Sequence, residues 1–185
     1  MSVLELFISP GKYISGYDNI SKLGIEINKL GNKPMLLIDK NIEKIVEIGI
    51  KSIKSFGEVE ITYFNGECTF DETNRITKLM IEKGCDVIVG FGGGKTMDTA
   101  KAAGYDAKVK IATVPTIAAT CAAWASHSAM YTPEGIAHSY YSIYKNADLV
   151  FMDKKITSEA PVRYIISGMV DTLAKWIETK AFTGP

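Results

Sequence analysis

The chain has no excess charge of either sign: 21 Lys and Arg residues stand against 21 Asp and Glu over 185 residues, a formal net charge of zero. Such a chain has no basic field for nucleic acid or an anionic membrane, and no acidic tail. No apolar run approaches the ~18 residues of a membrane span. The opening stretch, MSVLELFISPGKY, lacks a basic segment followed by a long apolar one, so no export signal is expected and a cytoplasmic setting is. Cysteine is scarce (Cys68, Cys85 and Cys121), with no Cys-x-x-Cys pair. That argues against a disulfide framework or a cysteine-built zinc and fits reduced thiols. Histidine is scarcer still, His127 and His138 alone. What is present is globular in proportion, 46% hydrophobic and 23% charged, which argues against disorder. Domains run roughly 100–200 residues, so the length allows one domain, or one and part of another.

Strand-like and helix-like segments alternate through the first two-thirds. Pro34 to Asp39 is an apolar run of strand length, and Asn41 to Phe56 follows with helical spacing of Ile42, Ile45, Val46, Ile50 and Ile53. Val59 to Phe64 alternates like a strand; Asp71 to Lys83 is amphipathic, with Gly84 placed to end a helix. Asp86 to Phe91 is apolar almost throughout, as a strand covered on both faces is. Three glycines, a helical stretch from Lys95 to Ala103 and a strand from Ile111 to Val114 come next. This order predicts an α/β fold, a parallel sheet with helices on both faces. Beyond Pro115 the pattern predicts paired strands over Ser128–Thr132 and His138–Tyr144, a strand over Ala147–Asp153, and helix from Ile156 onward with Pro161 in a first turn. Met169, Leu173, Trp176 and Ile177 share one face of that last helix with little left to pack against. The expected division is 1–155 for the α/β domain and 156–185 for the beginning of an all-α domain.

The glycine run is the most informative stretch. Gly92-Gly93-Gly94 between a buried strand and a helix leaves backbone uncovered, so phosphate oxygens can approach N–H groups at the positive end of the helix dipole, with Lys95 as a nearby cation. A P-loop, G-x-x-x-x-G-K-S/T, would need glycine at position 89, which is Val89. The Rossmann pattern G-x-G-x-x-G would need glycine at position 95, which is Lys95. Each fails by one residue. A tight turn without a ligand is the plainer reading, but three glycines and a lysine exceed what a turn requires. Asp39, at the end of an earlier strand, either receives the hydroxyls of an adenosine ribose or simply opens the next helix.

Those glycines, with Val114-Pro115-Thr116-Ile117-Ala118-Ala119-Thr120 and Gly168-Met169-Val170-Asp171-Thr172-Leu173-Ala174-Lys175-Trp176, resemble the iron-containing (group III) alcohol dehydrogenase family on its glycerol dehydrogenase side. Within it, Thr120-Cys121-Ala122-Ala123-Trp124 resembles a branch associated with 2-hydroxycarboxylates. The likeness runs from Ser9-Pro10-Gly11-Lys12-Tyr13 to the end and covers about the N-terminal half of a family member. It implies a dinucleotide-binding domain followed by the start of a metal-binding helical one. It further implies that Gly92, Gly93, Gly94, Lys95 and Thr96 hold a pyrophosphate and that Asp39 takes the adenosine ribose, favouring NAD over NADP. Thr116, Ile117, Ala118 and Ala119 would line the cofactor cleft, with Ala125, His127 and Tyr131. Asp171 would be the first ligand of a zinc or iron ion whose two histidines lie beyond position 185.

Two departures bear on substrate. Cys121 stands where glycerol dehydrogenases carry an aspartate that contacts the polyol, which weakens the case for glycerol and lessens repulsion of an anionic oxoacid. By composition Cys121 reads as a small packing residue rather than a redox thiol. His127 replaces an apolar residue and reads as a polar neighbour of the nicotinamide pocket rather than a catalytic acid. Asp171, by spacing alone, reads as an exposed helix carboxylate paired with Lys175 at i+4.

The resulting expectation is an NAD(P)-dependent oxidoreductase that moves hydride between nicotinamide and a small alcohol, polyol or 2-hydroxy acid. A divalent metal would polarise the substrate oxygen. A small-molecule substrate, no nucleic acid, no membrane and a homo-oligomer are expected. The rival is a non-catalytic nucleotide-binding module. A nucleotide triphosphatase built on Gly94-Lys95-Thr96 is disfavoured by Val89.

Overall fold

The structure, a computed structural model, describes residues 7–183; residues 1–6, where the expectation about an export signal begins, and Gly184-Pro185 lie outside the described residues. The described strands are β1 (Tyr13–Gly16), β2 (Pro34–Ile38), β3 (Glu60–Tyr63), β4 (Val87–Gly92), β5 (Lys110–Pro115), β6 (His127–Tyr131), β7 (Ala137–Ser142) and β8 (Leu149–Asp153). The helices are α1 (Leu23–Asn28), α2 (Glu47–Lys54), α3 (Phe70–Lys83), α4 (Gly94–Asp106), α5 (Lys154–Glu159) and α6 (Val162–Thr183). A parallel sheet in the order β1-β8-β5-β4-β2-β3 carries the fold, and β6 and β7 form a separate antiparallel pair.

The central strands are apolar at nearly every position because both faces are covered. The side-chain alternation of β2 sends Leu36 and Ile38 to one side, with Val89, Phe91, Leu23, Ile27, Ile50 and Ile53. Met35 and Leu37 go to the other, with Ile88, Ile111, Ile76, Met80, Met97, Ala100 and Ala103. Thus α1 and α2 cover one face and α3 and α4 the other, as the alternation of the sequence predicts. Helix α3 starts where the Thr69 side chain accepts the Glu72 N–H and stops at Gly84, whose φ of 64° suits a residue without Cβ.

Helix α4 lies unusually close to the sheet. A Cβ on Gly104 would fall 2.7 Å from both Ile88 Cγ2 and Ile111 Cγ1, and one on Gly90 would fall 2.7 Å from Ala100 Cβ. Those two glycines let helix and strands approach until little freedom is left.

Two expectations change, and two elements, β1 and α1, are added. The helix predicted over 41–56 is broken into a 3-10 turn, Lys40–Ile42, and α2, with Val46 fully buried at the break. Core burial of Val46 overrides the helical periodicity of its neighbours. β1 and α1 carry no strong local signal; β1 exists because it pairs with β8, more than 130 residues along the chain. Pro161 lies just ahead of α6, its carbonyl accepting the Tyr164 N–H at 2.9 Å, rather than inside the first turn.

Helix α6 touches the body through a narrow stripe around Gly168, where a Cβ would fall 2.1 Å from the Ala118 carbonyl oxygen. Met169, Leu173, Trp176 and Ile177 on it are 60–63% exposed. No helix among the described residues is long and apolar enough to cross a membrane.

The sheet is tied to the helical segment at Asp153. Its carboxylate, 1% exposed, accepts the N–H groups of Asp18 (3.0 Å), Ile20 (2.8 Å) and Lys155 (2.9 Å). Asp153→Ala orphans all three donors, and equilibrium urea unfolding is expected to show a loss of about 2–4 kcal/mol. Thr69→Ala, which removes one N-cap, is expected to cost about 1 kcal/mol in the same measurement.

Candidate functional site

In a parallel sheet every strand ends on the same edge, so β2, β4 and β5 deliver their C-terminal loops to one crevice. Asp39 follows β2, and its N–H reaches the Phe91 carbonyl of β4 at 3.2 Å, which places it beside the glycine run. Gly93 precedes α4 and has no side chain to cap it; the first bond of the helix is from Met97 N–H to Gly93 C=O, 3.1 Å. The N–H groups of Gly94, Lys95 and Thr96 therefore have no acceptor within the helix and carry its positive dipole end.

These groups face a cleft of about 1020 Å³. Of the residues predicted from sequence, Asp39, Gly93, Gly94, Lys95, Thr96, Ile117, Ala119, Cys121, Ala125, His127, Tyr131 and Asp171 line it. Gly92, Thr116 and Ala118 do not. Gly92 is the buried last residue of β4 and its carbonyl accepts the Thr116 N–H at 3.1 Å, so both stand behind the wall. Ala118 borders a smaller, adjoining apolar cleft of about 410 Å³ against α6. Sequence reading missed Phe64, Gly66, Asp98 and Tyr140, which also line the main cleft, as does Lys175, which it named only as the partner of Asp171. Of the missed residues Asp98 had a usable signal: with Lys101 it makes an i, i+3 charge pair on α4.

Several side chains are already engaged. Lys95 lies 2.6 Å from Glu67 and its ammonium sits 4.7 Å from the centre of the Tyr131 ring, so the cation assigned to a pyrophosphate is held by a carboxylate. Burial pushes the Tyr131 phenol up, Asp98 adds to the effect, and Lys95 opposes it. The Asp39 carboxylate accepts the N–H and side-chain amide of Asn41 at 2.9 and 3.0 Å, capping the 3-10 turn while still bordering the cleft. His127 packs edge-on against Tyr140, ring centres 5.2 Å apart. Cys121 is exposed on the cleft wall, where the motif placed it.

The glycines fit a dinucleotide pyrophosphate. A Cβ on Gly93 would fall 2.9 Å from Ile117 Cδ1, and one on Gly94 would fall 3.2 Å from Thr120 Oγ1, so side chains there would occupy the floor of the cleft. Asp171 is the one metal ligand that the resemblance assigned to this chain, and by itself it does not make a metal site. Asp171 is paired with Lys175, and the carboxylate holds that ammonium above its usual range, with a smaller contribution from Cys121. His138 lies elsewhere, against Phe70 and Ser139. Among the described residues no group of three or more His, Cys, Asp or Glu could hold a metal.

The sequence profile described as iron-containing alcohol dehydrogenase matches residues 10–154. The chain belongs to this family. It is 39% identical over 176 residues to a glycerol dehydrogenase of Thermotoga maritima, covering 94% of this chain and 48% of that protein. It is 41% identical over 118 residues to hydroxycarboxylate dehydrogenase A of Escherichia coli K12, covering 62% of this chain and 32% of that protein. The crystal structure of a probable glycerol dehydrogenase from Sinorhizobium meliloti superposes with a TM-score of 0.87 at 34% identity, covering 94% of this chain and 48% of that one. The chain thus spans about half the length of the first two glycerol dehydrogenases it matches, 48% and 50%.

Two substitutions probe the cleft through NADH titration. Gly93→Val is expected to lower affinity by about tenfold or more, with little change in Tm, because its side chain meets only a flexible isoleucine tip. Glu67→Gln is expected to raise affinity about two- to fivefold by releasing Lys95 toward an anion.

Proposed function

We propose that this chain is the dinucleotide-binding part of an NAD-dependent oxidoreductase acting on a small alcohol, polyol or 2-hydroxy acid. The observation that carries the reading is the uncapped start of α4, floored by glycine, facing a cleft that also holds Asp39. In this reading the N–H groups of Gly94, Lys95 and Thr96 bind the pyrophosphate. Asp39 accepts the adenosine ribose hydroxyls and repels a 2′-phosphate. The nicotinamide then extends past β4 toward β5, between the loop carrying Ile117 and Cys121 and the wall carrying Ala125 and His127. When bound, the cofactor supplies the hydride chemistry; the protein binds it, orients it and excludes water.

The residues present support no step through a metal, since Asp171 is a single carboxylate already matched by Lys175. That pairing also favours a second reading for the isolated chain, a module that binds nucleotide without turning substrate over. Both readings place the division into an α/β domain and a helical beginning near 155, retain a small-molecule substrate, and take the assembled protein to be a cytoplasmic homo-oligomer.

Fluorescence titration of the 185-residue chain tests the proposal. NADH is expected to bind about tenfold more tightly than NADPH, or about 1.4 kcal/mol. Asp39→Asn is expected to narrow that gap below about threefold by removing the charge. Absence of saturable binding of either dinucleotide would sink the reading. Robust oxidation of glycerol by this chain alone, with zinc or iron added, would contradict the absence of turnover.

A further inference from the structure

Helix α4 carries a buried ion pair, Asp98 and Lys101, of which Asp98 borders the cleft. Asp98 and Lys101, 9% and 1% exposed at their side chains, are 2.8 Å apart on one face of its second turn. The Lys101 ammonium also donates to the carbonyl oxygens of Ala125 (3.1 Å) and His127 (2.5 Å), so its three protons have three acceptors. The Asp98 carboxylate accepts the Ala129 N–H at 3.3 Å, and the Ser128 hydroxyl donates to the Asp98 carbonyl at 2.7 Å. Four consecutive contacts thus clamp residues 125–129 to the helix. Ala125, His127 and Ala129, spaced by two along this extended segment, border the cleft.

A buried charge pair is a costly way to join a helix to a strand, because apolar side chains of similar volume stabilise as well or better. What the pair adds is fixed geometry. Apolar packing would let the segment slide; two directed bonds to it from one ammonium that Asp98 holds in place, on a helix pinned to the sheet by Gly90 and Gly104, do not. The N-terminus of the same helix floors the cleft, so one rigid element sets the distance between the glycine floor and the 125–129 wall.

Resting on the dinucleotide reading above, we propose that Asp98 and Lys101 are positioning residues that hold the wall against which the nicotinamide end of the cofactor lies. They act through the main chain of residues 125–129 and contact no reacting atom. The pyrophosphate and adenosine contacts, made by other groups, do not depend on them.

The test compares NADH with ADP-ribose, which lacks the nicotinamide, on the 185-residue chain. Wild type is expected to bind NADH more tightly than ADP-ribose. The double variant Asp98→Asn/Lys101→Met removes both charges together and leaves neither unpaired. Its ADP-ribose affinity is expected to stay within about twofold of wild type, while NADH weakens about fivefold or more, toward ADP-ribose. A purely structural pair would weaken both ligands alike, and that result, or no change in either, overturns the proposal. Equal binding of the two ligands by wild type overturns it as well. If the double variant does not fold, Ser128→Ala is judged by the same criterion, with NADH weakened about two- to threefold and ADP-ribose unchanged. Wild type binding neither ligand would instead sink the dinucleotide reading itself.

Discussion

Three backbone N–H groups at the start of α4 have no acceptor within the helix, and the arrangement of the cleft follows from them. Most helices meet this need with a serine, threonine or aspartate just ahead of the first turn; here that position is Gly93. A short polar side chain there would have satisfied one of the donors. Glycine instead leaves a partial positive charge facing open space, a state that stabilises any anion able to approach. Parallel topology gives the feature its neighbours, because Asp39 and the Ile117 loop leave adjacent strands on the same edge.

Such a site is only as precise as the helix that presents it. Gly90 and Gly104 press α4 onto β4 and β5, and the Asp98–Lys101 pair joins it to β6, so the glycine floor and the opposite wall belong to one mechanical unit. Helix α6 contrasts with it: the helix meets the body along a narrow stripe and leaves large apolar side chains in water. Asp171 sits on this loosely held element and is neutralised by its neighbour Lys175. The chemistry is therefore unevenly developed, with a rigid glycine-floored cleft and one engaged carboxylate at its margin. This accords with a chain that spans about half of the relatives it matches.

The sheet was largely legible from residue order because burial on both faces writes itself into the strands as unbroken apolar runs, and Pro34–Ile38 and Val87–Gly92 show it plainly. The glycine floor was legible for a related reason, since consecutive glycines have few roles in a strand-to-helix turn. Strand β1 was not legible: four residues of alternating exposure become a strand only when β8 arrives beside them. Cys121 was legible as a cleft residue only through its motif, because nothing in its immediate neighbours says whether a loop turns a small residue inward or toward a cleft. Within the same contiguous motif the structure separates residues that the sequence treats alike: Thr116 is buried with its N–H on the Gly92 carbonyl, and Ala118 borders the smaller cleft against α6.

By itself, then, the amino-acid order determined the layering, the position of the bare helix start and the family, all properties of short segments whose chemistry is local. Tertiary structure alone decided that Lys95 is shared with Glu67 and that Lys101 spends its charge on two distant carbonyls. The Asp171–Lys175 pair, by contrast, is local and was legible from its i, i+4 spacing. The reason is physical: the state of a charged side chain depends on which oppositely charged or dipolar groups lie within a few ångströms, and in a parallel sheet many of those neighbours come from remote parts of the chain.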